Sequence, residues 1–222
     1  MFTGIVEDLG TVVGLENGAD FARLTVDSPT VVTDRTAIGE SIAVNGVCLT
    51  VTSVRGTAFT ADVMHETLRR SSLGSLRRGD HVDVERAMPA DGRFSGHIVS
   101  GHIDGTGVVT SITRDGIAVV YTIRAPYALM RFIAEKGSIA VEGISLTVTH
   151  AGLDSFGVSI IPHTAAHTVL DERRIGDVVN LETDPIAKYV DRLLAMPAGG
   201  GAQGGPSGAG PITEDFLVAH GF

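Results

Sequence analysis

Cysteine at 48, serine at 145, histidine at 102, lysine at 136 and aspartate at 184 are the side chains whose types and spacing invite chemistry. Each stands where two otherwise matching stretches of the chain disagree. Residues 41–52, SIAVNGVCLTVT, recur at 138–149 as SIAVEGISLTVT, a shift of 97 positions (41 to 138). The same shift sets Cys48 against Ser145, Ile5 against His102, Gly39 against Lys136 and Ala87 against Asp184. Like frames carrying unlike polar groups imply two like molecules held in different chemical settings.

Strand alternation puts Cys48 and Thr50 on one face and Leu49 and Val51 on the other, with Ser145 and Thr147 repeating the pattern. If the leucines and valines fill a core, the thiol and hydroxyls face outward, where matching polar pairs could line a shared cleft. The competing reading is a merely solvated strand, with Cys48 a small hydrophobe; nothing basic adjoins it in sequence to depress its pKa. His102, in VSGHIDG (99–105), is a candidate proton shuttle near neutral pH. His97, five residues earlier, points away from it on a regular strand. His163 and His167 have helical i, i+4 spacing, but no carboxylate completes a zinc-like set, so no metal is expected. No phosphate-cradling glycine motif and no Ser-His-Asp order are present.

The elements that must position these residues follow from the repeat. The shift also pairs Gly4 with Gly101, Pro29 with Pro126, Phe59 with Phe156, Gly79 with Gly176 and Glu85 with Glu182, so one structural unit is written twice. The copies run from Met1 to about Pro89 and from about His97 to Pro185, joined by PADGRFSG (89–96). FARLTVD, SIAV, CLTVTSV and AFTADV read as short strands, and Asn45-Gly46 signals a tight hairpin that Glu142-Gly143 repeats less ideally. Short strands between turn signals favour a small closed barrel, which has no exposed edges. Helices are expected at 125–137 (APYALMRFIAEKG), at its counterpart 29–39, and at HETLRRSSLG and HTAAHTVL. After the second copy, Asp184 can cap and Pro185 can open a helix over 185–196. Its stripe of Ile186, Tyr189, Val190, Leu193 and Leu194 either packs on its own barrel or, the sharper reading, joins subunits. Residues 197–222 read as a Gly-rich linker and tail.

Composition sets the outer limits. The 222 residues suit two domains, and a hydrophobic content of 43% with mean hydropathy of +0.24 fits a chain partly covered by partner subunits. A net charge of −9 argues against nucleic acid or an anionic membrane as partner. One cysteine fits a reducing compartment. MFTGIVEDLG does not read as a secretion signal and no run approaches membrane-helix length, so the expectation is a cytoplasmic protein.

MFTGIVE at 1–7, GVCLTV at 46–51, SGHI at 100–103, GISLTV at 143–148 and the spaced repeat together resemble the riboflavin synthases of the alpha-subunit, lumazine-dismutating kind, over about residues 1–195. The resemblance implies an all-β fold of two tandem six-stranded Greek-key barrels, 1–96 and 97–184, each binding one lumazine, with a C-terminal helix that joins three chains. It implies a transferase that takes two molecules of 6,7-dimethyl-8-ribityllumazine, passes a four-carbon unit between them, and gives riboflavin and 5-amino-6-ribitylamino-pyrimidinedione without a cofactor. It also admits lumazine synthase as a protein partner, and it places the site between the first barrel of one subunit and the second barrel of its neighbour.

By the same resemblance, Gly4, Ile5 and Val6 join Cys48, Leu49 and Thr50 as substrate contacts of the first barrel. Asp62, Val63, Met64, His65, Glu66 and Thr67 complete that set. Gly101, His102, Ile103 and Lys136 join Ser145, Leu146 and Thr147 in the second, with Ser159, Ile160, Ile161, Pro162, His163 and Thr164. His102 is the candidate for proton transfer, and Ser145, Thr147 and Cys48 for hydrogen bonding, proton relay or addition. Lys136 is the candidate for stabilising negative charge, and Asp184 for orienting a partner. His163 departs from the acid that the family keeps at that position. A lumazine-holding antenna protein is the main alternative; His102, Lys136, Ser145 and Asp184 favour the enzyme. A flavin-reductase-type barrel lacks a nicotinamide fingerprint.

Overall fold

The computed structural model describes residues 1–195. Two closed antiparallel barrels of six strands each account for the repeat. The first is built from β1 (Asp8–Asn17), β2 (Phe21–Asp27), β3 (Ser41–Val44), β4 (Val47–Arg55), β5 (Ala58–Met64) and β6 (His81–Arg86), in the spatial order β1-β2-β5-β4-β3-β6, with β6 closing on β1. The second runs through β7 (Gly105–Asp115), β8 (Ala118–Arg124), β9 (Ser138–Val141), β10 (Ile144–Ala151), β11 (Ser155–Ile160) and β12 (Val178–Thr183) with the same connectivity. Strand β2 lies beside β5 rather than β3, which is the Greek-key return.

Alternation decides what fills each barrel. Leu49 and Val51 of β4 join Leu24, Val26, Ile42, Phe59, Val82 and Val84 in the first core, leaving Cys48 half-buried and Thr50 exposed. Leu146 and Val148 of β10 join Ile123, Ile139, Phe156 and Leu181 in the second, leaving Ser145 half-buried and Thr147 exposed. Closed barrels of this size are filled by side chains, so chemistry is confined to the outer faces and the seams.

The expected hairpins form. Asn45 and Gly46 take φ of 46° and 78°, and Glu142 and Gly143 take 52° and 87°, the positive angles that a two-residue turn demands. The expected helices shrink. Over 125–137 only α2 (Tyr127–Met130) is helical, preceded in the chain by α1 (His65–Arg70). Beyond α2 the chain continues in three-residue turns, Ile133 N–H to Met130 O at 3.1 Å and Gly137 N–H to Ala134 O at 2.9 Å, which turn Met130 and Ile133 together into the core. The stretch 29–39 holds no helix. Val31, Val32 and Thr33 are consecutive β-branched residues, the two valines are buried, and Thr36 Oγ1 accepts the Thr33 N–H at 3.0 Å in place of a helical carbonyl. HTAAHTVL gives α3 (Pro162–Ala166) and a 3-10 turn, Val169–Glu172.

The barrels meet across a local twofold relation. Phe2 and Val99, equivalent in the repeat, pair with each other: Phe2 N–H donates to Val99 O at 2.7 Å and Val99 N–H to Phe2 O at 3.2 Å. The two hairpin tips touch so closely that a Cβ on Gly46 would lie 2.7 Å from Gly143 N. Around them lies a buried polar network in which Asn180 Oδ1 accepts Ser72 N–H at 2.7 Å and Asp83 Oδ1 accepts Val169 N–H at 2.9 Å, each a mirror of the other.

Helix α4 spans Pro185–Leu194. Asp184 caps it through the Ile186 N–H at 2.9 Å, and Lys188 ties its first turns to Asp104 at 2.6 Å. Ile186 and Tyr189 of the apolar stripe are exposed. From Val190 onward the chain belongs to a separate compact unit, in whose described part Val190, Leu193 and Leu194 are exposed. Met196 and the expected linker and tail, 197–222, lie outside the described residues.

Candidate functional site

Two outer shelves carry the candidate residues. On the first barrel, Cys48 and Thr50 of β4 share the outer face with Asp62 and Met64 at the end of β5. On the second, Ser145 and Thr147 of β10 lie beside Ser159 of β11 and the exposed Ile161. Leu49, Leu146, Val63 and Ile160 point into the cores, so any contact they make with a ligand on the shelves is through their backbone.

Each shelf is completed by the other copy of the repeat, which corrects the grouping that the resemblance gave. The Gly101 carbonyl accepts the Cys48 N–H at 2.8 Å, and Ile103 packs on the first core. The Gly4 carbonyl accepts the Ser145 N–H at 2.8 Å, and Val6 packs on the second core. Gly4–Val6 therefore belongs with Ser145, and Gly101–Ile103 with Cys48. The contact requires glycine. Gly4 and Gly101 have φ of 77° and 80°, and a Cβ on either would come within 2.6 Å of the facing Cβ, of Ser145 or Cys48.

Buried carboxylates hold these crossing segments. Glu85 of β6 accepts Thr3 N–H at 2.7 Å and Gly4 N–H at 3.0 Å, while Glu182 of β12 accepts Ser100 N–H at 2.6 Å and Gly101 N–H at 3.0 Å. Burial raises the Glu85 pKa, against which the Thr3 and Gly4 hydrogen bonds pull down. The repeat showed both glutamates, as a matching pair, but not that they clamp the shelves.

His97, which sequence spacing points away from His102, lies at the second shelf. The structure puts its Nδ1 2.6 Å from Ser145 Oγ, with the ring buried. Cys48, Ser145, His102, Lys136 and Asp184 stand out by differing from a repeat partner, and the shift gives His97 no partner position to differ from. Proximity to Ser145 arises because residues 97–99 pair back on the N-terminal strand segment, a contact no local pattern encodes.

The remaining candidates scatter in role. His102 is exposed, like Ile5, and its ring makes no hydrogen bond among the described residues. Lys136 holds a φ of 66°, left-handed for a side-chain-bearing residue, with its N–H on Val148 O at 2.9 Å and no ion-pair partner for its ammonium among the described residues. Asp184 is committed to capping α4. At the rims, Asp62 pairs with Arg23 at 3.0 Å, His65 Nε2 lies 3.3 Å from Ala19 O, and Glu66 holds Arg69 and Arg70. At the corresponding place in the second copy, the rings of His163 and His167 meet at a tilt of 37° with centroids 4.5 Å apart, and His167 Nδ1 lies 2.7 Å from His163 O. Thr67 and Thr164 offer their carbonyls to Ser71 and Thr168 hydroxyls. A cavity of about 570 Å³ opens beside Ile5, Ser41 and Ala87 and is lined also by Met88, Pro89, Gly92, Arg93 and Ser95; Glu85 lines it and Cys48 does not.

The lumazine binding domain family matches residues 3–87 and again 100–184, so the chain carries that domain twice. A riboflavin synthase of Actinobacillus pleuropneumoniae is 52% identical over the whole of both chains, and one of Bacillus subtilis is 42% identical over the whole of both. One of Mycobacterium bovis is 50% identical over 87% of this chain and 98% of its own. Among solved structures, LumP complexed with riboflavin superposes with a TM-score of 0.76 at 25% identity, covering 82% of this chain and 99% of LumP. LumP complexed with flavin mononucleotide gives 0.73 at 24% with the same coverage. The chain belongs to the riboflavin synthase family.

Proposed function

We propose that the protein catalyses the dismutation of two molecules of 6,7-dimethyl-8-ribityllumazine by four-carbon transfer, yielding riboflavin and 5-amino-6-ribitylamino-pyrimidinedione. One observation carries the reading: two shelves of the same frame, each assembled from both copies, present Cys48 and Thr50 on one barrel and Ser145 and Thr147 on the other. Two identical ring systems can then be bound alike and treated differently. The first barrel (1–96) takes one lumazine along Cys48–Thr50, Asp62–Thr67 and Gly101–Ile103. The second (97–184) takes the other along Ser145–Thr147, Ser159–Thr164 and Gly4–Val6, with Lys136 at its edge.

The exposed His102 imidazole has no hydrogen-bond partner among the described residues, which suits a group that meets substrate. It removes a proton from the C7 methyl of one lumazine, and the Lys136 ammonium steadies the charge that develops. Ser145, Thr147 and Cys48 hydrogen-bond and relay protons, and Asp184 acts through the start of α4. Three chains associate through the apolar stripe of α4, bringing the first barrel of one against the second barrel of the next. Holding both reactants in one site makes the transfer effectively unimolecular. A lumazine synthase capsid is the protein partner consistent with this chemistry, and one cysteine in 222 residues fits work in the cytoplasm.

The test is an anaerobic incubation with the lumazine alone, followed for both products. Equal yields of riboflavin and the pyrimidine support the proposal. Stable lumazine fluorescence without either product makes the protein a binding module instead. His102→Gln, Cys48→Ala and Ser145→Ala, measured for turnover and for lumazine binding, test the roles; near wild-type rates in all three refute them.

A further inference from the structure

The ring of His97 has a use for one nitrogen and none for the other. It is 8% exposed; Nδ1 meets Ser145 Oγ at 2.6 Å, and Nε2 is buried with no partner among the described residues. A histidine kept for structure normally has its buried polar atoms satisfied. This one is also fixed in place: its N–H donates to Thr3 O at 3.1 Å, and the preceding Gly96 lies so close that a Cβ there would come 3.1 Å from Ser145 Cβ. The hydroxyl it holds is half-buried on the outer face of β10, at the shelf already described. A neutral imidazole has one N–H and one lone pair. Held as an acceptor, Nδ1 takes the Ser145 hydroxyl hydrogen and leaves the N–H at Nε2. Burial is the largest influence on the ring and lowers its pKa from the usual histidine range, against the pull of the Asp184 and Glu182 carboxylates.

We propose that His97 is a positioning residue of the second barrel, accepting the Ser145 hydroxyl proton at Nδ1 so that Oγ turns its lone pairs to the ring system lying against β10. The inference deepens the function proposed above and rests on it. It also separates the two barrels chemically. Cys48, in the equivalent place, has no hydrogen bond to its thiol among the described residues, so only the second shelf presents a polarised hydroxyl. His102 is exposed and faces substrate directly; His97 acts through Ser145 alone.

Steady-state kinetics with lumazine across pH 5.5–9 test this with His97→Asn, Ser145→Ala and the double variant. Asparagine keeps a buried acceptor but cannot take a proton. The expected result is a fall in kcat of about a hundredfold with KM within about threefold of wild type. The double variant is no slower than Ser145→Ala. A kcat within threefold, a KM that rises more than kcat falls, or losses that multiply overturn the inference. Should His97→Asn fail to fold, nitrogen-15 shifts of the wild-type ring decide: a neutral Nε2–H tautomer at pH 7 that changes in Ser145→Ala supports the contact, and an Nδ1–H tautomer or a charged ring overturns it. A wild-type protein that leaves lumazine unchanged sinks the function beneath the inference; a wild type that turns it over beside an unaffected His97→Asn sinks only the inference.

Discussion

Gly101 and Cys48 lie in different copies of the repeat, yet the carbonyl of one accepts the amide of the other at 2.8 Å. The approach leaves no room for a side chain, since a Cβ on Gly101 would stand 2.6 Å from Cys48 Cβ and 2.8 Å from the Phe2 ring. Gly101→Ala is therefore expected to cost more than backbone strain. Gly39 has a similar positive φ, 94°, but open space around its Cβ position, so Gly39→Ala should lose only about 1 kcal/mol. Gly101→Ala should lose that and a further ~1–3 kcal/mol from overpacking. Thermal melts give the stabilities. Lumazine fluorescence titration should show one of two sites weakened in Gly101→Ala and both retained in Gly39→Ala. Equal stabilities would dissociate the close approach from the shelf.

Lys136 occupies the second-copy position of Gly39 and pays a conformational cost that glycine avoids, with φ at 66°. Nothing among the described residues pairs with its ammonium, so the strain is not offset by an ion pair. Strain retained without local compensation points to use. Lys136→Gly is expected to be as stable as wild type or up to about 1 kcal/mol more stable, while turnover falls at least tenfold. Stability comes from denaturant midpoints and turnover from riboflavin formation. Unchanged turnover would return Lys136 to the surface.

What sequence could show here is what a fixed shift and a period of two can carry. They placed Leu49 and Leu146 inside, Cys48 and Ser145 outside, and Asn45-Gly46 in a tight turn, because these are local consequences of alternation and of positive φ. The failures have one cause. The helix over 125–137 gave way to turns that carry Met130 and Ile133 into the core, and Gly4 and Gly101 crossed to each other's barrels. Both outcomes depend on what the segment meets in space. His97 was missed for the same reason: its partner Ser145 is 48 residues away, reached only because residues 2 and 99 pair. Glu85 and Glu182 were visible as a matched pair, but a match reports a shared frame and says nothing of the backbone amides it holds.

Helix α4 offers a direct test of assembly. Tyr189 is 72% and Leu193 69% exposed, so replacing either in an isolated chain should move stability by no more than about 0.5 kcal/mol. In a trimer seam the same changes remove apolar contact at every copy. Tyr189→Asp with Leu193→Asp is expected to reduce the sedimenting mass from three chains to one and to abolish turnover while melting little changes. A wild-type protein that sediments as one chain, or a monomeric variant with full turnover, would refute assembly through this stripe.

Asp83 is fully buried with Oδ2 unpartnered among the described residues, and its pKa is raised well above the ordinary 3.8, chiefly by burial and further by Glu142, against the pull of the Val169 N–H and Arg173. Glu142, also buried, is raised for the same first reason even though Arg173 lies 2.6 Å away. A carboxyl whose folded pKa is raised binds protons more tightly in the folded state. Its stabilising contribution is thus complete below the unfolded pKa near 4 and is lost as pH rises through the folded value. The second copy already holds a neutral solution at this position, for Asn180 accepts the Ser72 N–H through Oδ1 and donates through Nδ2 to the Asn45 carbonyl at 2.8 Å. In Asp83→Asn the mirrored partners are the Val169 N–H and the Glu142 carbonyl. The variant should be more stable than wild type by about 1–3 kcal/mol at pH 8, or about 2–4 °C in Tm for each kcal/mol in a chain of this length. The difference should shrink as pH falls towards 4, where the wild-type carboxyl is protonated. Melting curves of both proteins from pH 4 to pH 8 measure it. A gap independent of pH would mean that the Asp83 carboxyl keeps one protonation state across this range, and an Asn variant less stable at pH 8 would mean that the network around it holds it as an anion.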